Sequence, residues 1–183
     1  MQSPITRVLL TEAGALSALC LAIYPPHFSH LWDDGGAWYQ QTAYSVAQME
    51  IELAHPGSSF YFIWQEDRPV GYLKLNTQTR LPGHSSVNGL EVERIYLLSS
   101  AQGLGLGKQL LEFAEAQAEL RQKDHLFLYS MDSSTASIAF YQAMGFVLFG
   151  QKRLDFPLMK PKFRGMCSLV KTLARSPINA GLG

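Results

Sequence analysis

A strand, a glycine-rich turn and a helix follow one another directly within residues 90–111 of this chain. The apolar residues 90–98 predict the strand, and periodic apolar residues beyond the turn predict a helix to about Gln122. Three glycines at alternate positions separate the two elements: Gly103, Gly105 and Gly107. Glycines remove side chains from the start of a helix, so backbone N–H groups there can meet a ligand directly. Because a helix N-terminus is positively polarised, the turn favours an anion such as a phosphate.

We define residues 102–108 as the glycine turn. Lys108 lies in the predicted first turn of the helix, where a cation opposes the helix dipole and a bound phosphate would remove that conflict. We therefore interpret the turn as a pyrophosphate site. The alternative is a tight strand-to-helix turn whose glycines serve packing only. The pattern Q-x-x-G-x-G differs from the G-x-G-x-x-G of dinucleotide-binding folds, which are not favoured.

The chain has 183 residues, 47% of them apolar, enough for one domain with a sizeable core. Fifteen basic residues balance fifteen acidic ones, so no overall field attracts nucleic acid or an anionic membrane. The two cysteines, Cys20 and Cys167, have no C-x-x-C spacing and favour a reducing compartment. The longest apolar segment, residues 15–24, is too short to cross a bilayer, and the N-terminus lacks signal-peptide features. We expect a cytoplasmic protein.

The predicted order of elements is β-α-α-β-β-β-α-β-α-β-β. It includes a first helix that ends at the double proline 25–26, a second helix over 42–54, and a mobile loop over 80–89. This order predicts an α/β (α+β) domain over residues 1–173. Its central sheet is mixed and mostly antiparallel, with six to seven strands flanked by about four helices. Residues 174–183 are expected to be a flexible tail.

A second motif, A-F-Y-Q-A-M-G-F at residues 139–146, follows the next predicted strand. Together with Q-x-x-G-x-G after an E-R-I-Y strand, it resembles the GNAT (Gcn5-related N-acetyltransferase) superfamily over about residues 60–173. Segments 57–63, 70–76 and 90–96 resemble most closely the PaiA-like polyamine N-acetyltransferases.

This resemblance implies a GNAT fold, acetyl-CoA as acetyl donor, a small polyamine-like primary amine as acceptor, and direct transfer in a ternary complex. It implies that the pantetheine arm runs beside the end of the central strand and that the pyrophosphate lies on the glycine turn. Ser134 stands where the family commonly has an asparagine. The residues implied to contact the donor are Ile95, Tyr96, Leu97, Gln102, Gly103, Leu104, Gly105, Leu106, Gly107, Lys108, Ser134 and Tyr141.

Tyr141 suits the role of the acid that protonates the departing thiolate, because a phenol is protonated at neutral pH and the family has a tyrosine at this place in the motif. The alternative is that its ring only packs. Acyl transfer also needs a donor for the oxyanion, and the resemblance implies the main-chain N–H of Leu97.

Glu91 and Glu93 are two residues apart on a strand, so both side chains point to one face. One is expected to act as general base and the other to bind the amine, with Glu91 the better base by family position. The alternative is a solvated strand face neutralised by Lys74 or Arg94. Arg94 is expected on the opposite face by parity, where it would contribute little.

Aromatic and acidic residues gather in the segment 24–39, where Trp32 and Asp33 are candidates for an amine-binding lid through cation–π and carboxylate contacts. Ordinary packing is the alternative. His27 and His30 lack further ligands, so we expect no metal site.

A peptide N-terminus or a lysine is the alternative acceptor, and a non-catalytic acyl-CoA-binding module is the alternative to an enzyme. We expect no nucleic-acid or membrane partner. The resemblance is compatible with a homodimer.

Overall fold

The computed structural model describes residues 4–80 and 88–173. Within them, seven strands form one sheet: β1 (Ile5–Arg7), β2 (Ser58–Gln65), β3 (Arg68–Asn76), β4 (Gly89–Leu97), β5 (His125–Met131), β6 (Val147–Arg153) and β7 (Gly165–Thr172). Their order is β1-β2-β3-β4-β5-β7-β6, and all neighbours are antiparallel except β4 and β5. The predicted mixed, mostly antiparallel sheet is confirmed.

The described residues form five α-helices, one more than expected: α1 (Ala13–Phe28), α2 (Ala37–Tyr44), α3 (Val46–Ala54), α4 (Leu106–Leu120) and α5 (Thr135–Ala143). Helices α4 and α5 pack on one face of the sheet, where Leu110 and Leu111 are fully buried. Helices α1, α2 and α3 cover the other face, where Leu16 and Met49 are fully buried. Helices α1, α3 and α4 thus bury apolar residues against the sheet.

The predicted end of the first helix at the double proline was wrong, because α1 continues through Pro25 and Pro26 to Phe28. Proline removes a backbone donor but keeps helical φ, and its carbonyl still accepts: Ser29 N–H bonds the Pro25 oxygen. Packing of Phe28 against the buried cluster on this face holds the extra turn.

The predicted single helix over 42–54 was also wrong, because two helices meet there. Ser45 is extended, with ψ 151°, and its hydroxyl accepts a hydrogen bond from the Gln48 N–H at the start of α3. Serine is a favoured N-cap for this reason. The chain therefore turns between α2 and α3 instead of continuing as one helix.

Most of the predicted loop over 80–89, namely residues 81–87, and the predicted tail over 174–183 lie outside the described residues. Gly89, the last residue of that loop prediction, already belongs to β4.

Two irregularities of β4 shape the centre of the sheet. Lys74 pairs with Arg94 and Leu75 with Val92, so Glu93 is an extra residue that forms a β-bulge. In addition, β4 and β5 pair only as far as Val92 and Leu128, although both strands continue. The sheet therefore opens between the second halves of β4 and β5.

Candidate active site

Two cavities meet at this opening of the sheet. One, of about 270 Å³, reaches the two glutamates of β4, and we call it the carboxylate cavity. The other, of about 260 Å³, reaches the glycine turn, and we call it the turn-side cavity. Their common wall consists of Phe28, Ile95, Tyr96, Ser134, Ser137 and Tyr141. The structure thus brings residues from β4, α1 and α5 together between two distinct chemical environments.

Tyr141 lies in this common wall, on α5. Its ring packs edge-on against Phe146, with centroids 6.0 Å apart. Burial raises the pKa of Tyr141 to about 12, so the phenol is protonated at neutral pH. Among the described residues its hydroxyl has no hydrogen-bond partner, which leaves the proton available to a ligand. Ser134, the N-cap of α5, likewise makes no side-chain capping bond.

The glycine turn precedes α4 as predicted. Gly103 and Gly105 have φ of +75° and +76°, a region that other residues adopt at a cost. A Cβ added at either position would meet no atom within 4 Å. The glycines are therefore required by backbone conformation and not by packing inside the protein. Lys108 is exposed in the first turn of α4 and pairs with Glu112 at 3.7 Å.

The end of β4 directs main-chain groups into the opening. Leu98 N–H bonds the Val70 carbonyl of β3. Because hydrogen bonds alternate along an antiparallel ladder, the N–H and C=O of Leu97 point away from β3. His27 Nε2 lies 3.3 Å from the Leu97 oxygen and 3.4 Å from the side-chain nitrogen of Gln102. His27 lines the turn-side cavity. The sequence had suggested a metal ligand or a lid residue at this position but not a place beside the end of β4, because α1 had been expected to end before it.

Glu91 and Glu93 both line the carboxylate cavity, as the strand parity predicted for one shared face. The side-chain amide of Asn76, on β3, donates hydrogen bonds to both, at 3.1 Å to Glu91 and at closer range to Glu93. The two carboxylates therefore lie close together, and Asn76 joins them. The sequence offered no signal for Asn76, because its role depends on the pairing of β3 with β4.

Four charged side chains form an ion cluster beside this pair: Glu52, Lys74, Glu93 and Arg94. Lys74 Nζ lies 2.8 Å from Glu52 and 2.5 Å from Glu93. Arg94 lies 2.8 Å from Glu52 and 3.2 Å from Glu93. Burial alone would raise the pKa of Glu52, but Arg94 and Lys74 outweigh it and hold that pKa below its ordinary value. The placement of Arg94 on the opposite face was wrong, because the bulge at Glu93 shifts the parity of β4.

Trp32 lines the carboxylate cavity, whereas Asp33 is exposed and does not contribute to its wall. The Trp32 indole N–H donates to the Tyr24 hydroxyl at 2.7 Å, and its ring stacks on Tyr39 with centroids 5.1 Å apart. Asp34 accepts hydrogen bonds from two backbone N–H groups at the start of α2. Within the segment 24–39, the rings of Tyr24, Trp32 and Tyr39 line the carboxylate cavity, whereas Asp33 and Asp34 lie outside it.

Lys152, on β6, also lines the carboxylate cavity and was not anticipated from the sequence. Its Nζ lies 3.3 Å from the centre of the Tyr129 ring, a cation–π contact. Burial lowers the pKa of Lys152, while the charges of Glu91 and Glu93 act to raise it. The cavity therefore presents one ammonium group together with its carboxylates.

Across residues 4–80 and 88–173, no three histidine, cysteine, aspartate or glutamate side chains converge as metal ligands. In the same ranges, no helix combines the length and apolar character needed to cross a membrane.

Comparison with known structures shows close agreement in fold. PaiA N-acetyltransferase from Thermoplasma acidophilum, in complex with coenzyme A, superimposes with a TM-score of 0.73 at 16% identity, over 92% of this chain and 97% of that one. The ribosomal-protein-S18-alanine N-acetyltransferase from Escherichia coli gives a TM-score of 0.69 at 17% identity, over 97% and 98% of the two chains. At such identities the likeness establishes the fold alone.

Sequence comparison establishes the family. An "uncharacterized N-acetyltransferase in pepI 3′ region" of Lactobacillus delbrueckii subsp. lactis is 40% identical over 117 residues, which cover 60% of this chain and 68% of that protein. Residues 20–146, more than half of the chain, match the family described as acetyltransferase (GNAT) family. These matches agree with the seven-stranded fold and with the two motifs that carried the resemblance. The chain therefore belongs to the GNAT family of N-acetyltransferases.

Proposed function

We propose that the protein transfers the acetyl group of acetyl-CoA to the primary amine of a small, polyamine-like acceptor. One observation carries this proposal: two cavities of different chemistry share a wall that contains Tyr141. The turn-side cavity suits the donor, the carboxylate cavity suits an amine, and the shared wall is where the two would meet.

The donor side has the features that a nucleotide thioester requires. The glycine turn has no side chain over Gly103 or Gly105, and the space above each is open. The first turn of α4 contains no acidic residue to repel a phosphate. The N–H and C=O of Leu97 are directed into the opening, where an extended pantetheine arm could pair with them as an added strand would. The solved fold neighbour PaiA N-acetyltransferase is described with coenzyme A, which supports the same donor here.

The acceptor side combines carboxylates with aromatic faces. Glu91 and Glu93 attract an ammonium group, and the rings of Trp32, Tyr39 and Tyr24 offer cation–π contacts to an amine chain. The cavity of about 270 Å³ accommodates a small acceptor. The preference for a polyamine rests on the sequence resemblance to PaiA-like enzymes, and we include it on that ground.

Each chemical step has a candidate residue. Glu91 accepts the proton that the ammonium must lose before its nitrogen can bond to the acetyl carbon. The Leu97 N–H stabilises negative charge that builds on the acetyl oxygen. Tyr141 donates its proton to the sulfur as the carbon–sulfur bond breaks, and its raised pKa keeps that proton in place until then. The second proton, which the nitrogen loses as the amide forms, returns to the Tyr141 oxygen and restores the phenol. Transfer is direct, because neither Cys20 nor Cys167 lines either cavity.

The alternative acceptor is the amine of a protein or peptide, and the fold agreement with the ribosomal-protein-S18-alanine N-acetyltransferase makes it worth testing. The experiment is a thiol-release assay with acetyl-CoA and four acceptors: a polyamine, a simple monoamine, a peptide with a free N-terminus and a peptide with an internal lysine.

We expect the largest kcat/KM for the polyamine. Preferential turnover of a peptide would contradict the proposed polyamine acceptor and would still support an acetyltransferase activity. Tight binding of coenzyme A without turnover on any amine would point to a non-catalytic module. Failure to bind coenzyme A would contradict the whole proposal.

A further inference from the structure

The two carboxylates of the carboxylate cavity have different partners. Glu93 belongs to the ion cluster and lies within ion-pair distance of both Lys74 and Arg94. Glu91 forms no ion pair among the described residues, and its hydrogen bond comes from Asn76 at 3.1 Å. We propose that Asn76 is a positioning residue whose amide orients Glu91 as the base, whereas the ion pairs of Glu93 with Lys74 and Arg94 hold Glu93 away from proton transfer. The catalytic part of this inference rests on the proposed function.

The orientation of the Asn76 amide is fixed from its other end. Ser58 is buried on β2, and its hydroxyl donates to Asn76 Oδ1 at 3.2 Å. The Asn76 amide nitrogen therefore points at the carboxylates. The reversed amide would place Oδ1 against two carboxylates and leave the serine without its acceptor, which is unfavourable. Asn76 and Glu91 are also direct partners in the pairing of β3 with β4, so the backbone sets their separation.

The charged groups around Glu91 explain why the side-chain amide of Asn76 is important for the position of Glu91. Two cations and two carboxylates of the ion cluster offset each other, and two members of the cluster, Glu93 and Arg94, line the carboxylate cavity beside Glu91. Tyr129 on β5 and Lys152 on β6 interact electrostatically with Glu91, and Glu93 shares the Asn76 amide with it. The remaining charged groups on the elements packed here are Arg94 on β4, Lys74 on β3 and Glu52 on α3, which belong to the ion cluster. Lys74 and Arg94 pair with Glu93 and Glu52, and Lys152 lies over the Tyr129 ring, so the hydrogen bond from Asn76 is the direct side-chain contact that orients Glu91 among the described residues.

Asn76→Asp is the decisive variant, because it keeps the shape of the side chain and replaces the donor by a third carboxylate. We expect the acid limb of the kcat/KM profile to move upward by about one pH unit or more, since Glu91 becomes harder to ionise. Asn76→Ala and Ser58→Ala should move it less, with kcat lowered more than the KM for the amine is changed. Asn88→Asp is the matched control: Asn88 also donates to a carboxylate, that of Asp124, but outside both cavities.

A second readout does not depend on turnover. The Glu91 carboxyl carbon can be followed by NMR through a pH titration in the wild type and in Asn76→Asp. An upward shift in the variant, absent from Asn88→Asp, supports the inference even if the wild type acetylates none of the amines tested, a result that would count against the proposed function alone. Coincident titration curves for wild type and Asn76→Asp would overturn it. Retained activity in Glu91→Gln together with lost activity in a folded Glu93→Gln variant would also overturn it.

Discussion

Arg94 on β4 binds Glu52 on α3 through both terminal nitrogens, Nη1 to Oε2 at 2.8 Å and Nη2 to Oε1 at 3.2 Å. The side chains are 9% and 13% exposed, so the pair is largely withdrawn from water. It connects the helical layer to the strand that carries the candidate base. The same pair belongs to the ion cluster, so its loss would disturb both stability and the site.

Glu52→Gln should destabilise the fold by about 3 kcal/mol, because it leaves the buried charges of Arg94 and Lys74 with one carboxylate in place of two. Urea denaturation measures this change. Asp155→Asn is the control, since Asp155 pairs with Arg164 at 3.3 Å but is 99% exposed. An exposed pair contributes little, and the control should unfold at the wild-type midpoint. Equal midpoints for Glu52→Gln and wild type would show that the ion cluster adds no stability.

The contribution of Glu52 should depend on pH. Its pKa in the folded protein lies below the ordinary value of 4.5, so the folded state favours the ionised form. The unfolded chain takes up a proton first as pH falls, so the stabilisation is complete above about pH 5.5 and is lost progressively as the pH falls from about 4.5 through the lower pKa of the folded protein. The stability difference between wild type and Glu52→Gln should therefore shrink as the pH is lowered below about 4.5. A difference that stays constant from neutral pH to pH 4 would contradict the assigned ion pairs.

Gly105→Asp and Gly105→Asn separate charge from conformation in the glycine turn. Both variants introduce a side chain at a position whose φ is +76°. Asparagine has the shape of aspartate without its charge. We expect coenzyme A to bind the aspartate variant at least about tenfold more weakly than the asparagine variant, because a carboxylate would face the phosphates. Isothermal titration calorimetry gives the two affinities. Similar affinities would argue that the pyrophosphate lies elsewhere.

Tyr141→Phe should lower kcat by about 100-fold while the affinity for coenzyme A changes little, because the ring packing is kept and the proton donor is lost. Stopped assays at saturating donor measure the first quantity, and calorimetry the second. Tyr61→Phe is the matched control: the Tyr61 hydroxyl bonds Gln117 at 3.3 Å, outside both cavities. A comparable loss in both variants would assign Tyr141 a packing role.

The raised pKa of Tyr141 adds a test of the same role. Because this pKa is about 12, the wild-type kcat profile should show no decline attributable to the phenol below about pH 10. A decline near pH 9 that disappears in Tyr141→Phe would mean that the phenol ionises far earlier than its burial indicates.

Lys152→Met should raise kcat/KM for acceptors with a second ammonium group by a few-fold and leave a simple monoamine unaffected. The ammonium of Lys152 lines the carboxylate cavity and opposes additional positive charge there. Initial rates with a diamine and with a monoamine of the same chain length measure the effect. A loss of activity with both would instead indicate that Lys152 supports the wall formed with Tyr129.

The elements that were predicted correctly, with the site residues they carry, are those determined by residues close together in the sequence. The turn at Gly103 and Gly105 and the strand that carries Glu91 depend on residues near one another in the chain. The same is true of the motif that contains Tyr141, which places this residue on a short helix after β5.

The errors arose where pairing between distant segments decides the outcome. A bulge at Glu93 depends on how β3 meets β4, and it reversed the side assigned to Arg94. Packing of Phe28 against the sheet carries α1 past two prolines and thereby brings His27 to the end of β4. Asn76 gave no signal for the same reason, because its partners lie on another strand.

Where β4 parts from β5, Leu97 contributes its main-chain N–H and C=O to the candidate site, groups that every residue except proline supplies. An exchange of Leu97 for another residue changes bulk there, yet only proline would delete its amide. The position of this amide depends on the fold of the main chain and not on the identity of the side chain. This accounts physically for folds that superimpose at TM-scores near 0.7 with 16–17% identity. The proposed acceptor recognition, in contrast, depends on side chains around Glu91, each of which a single substitution can change.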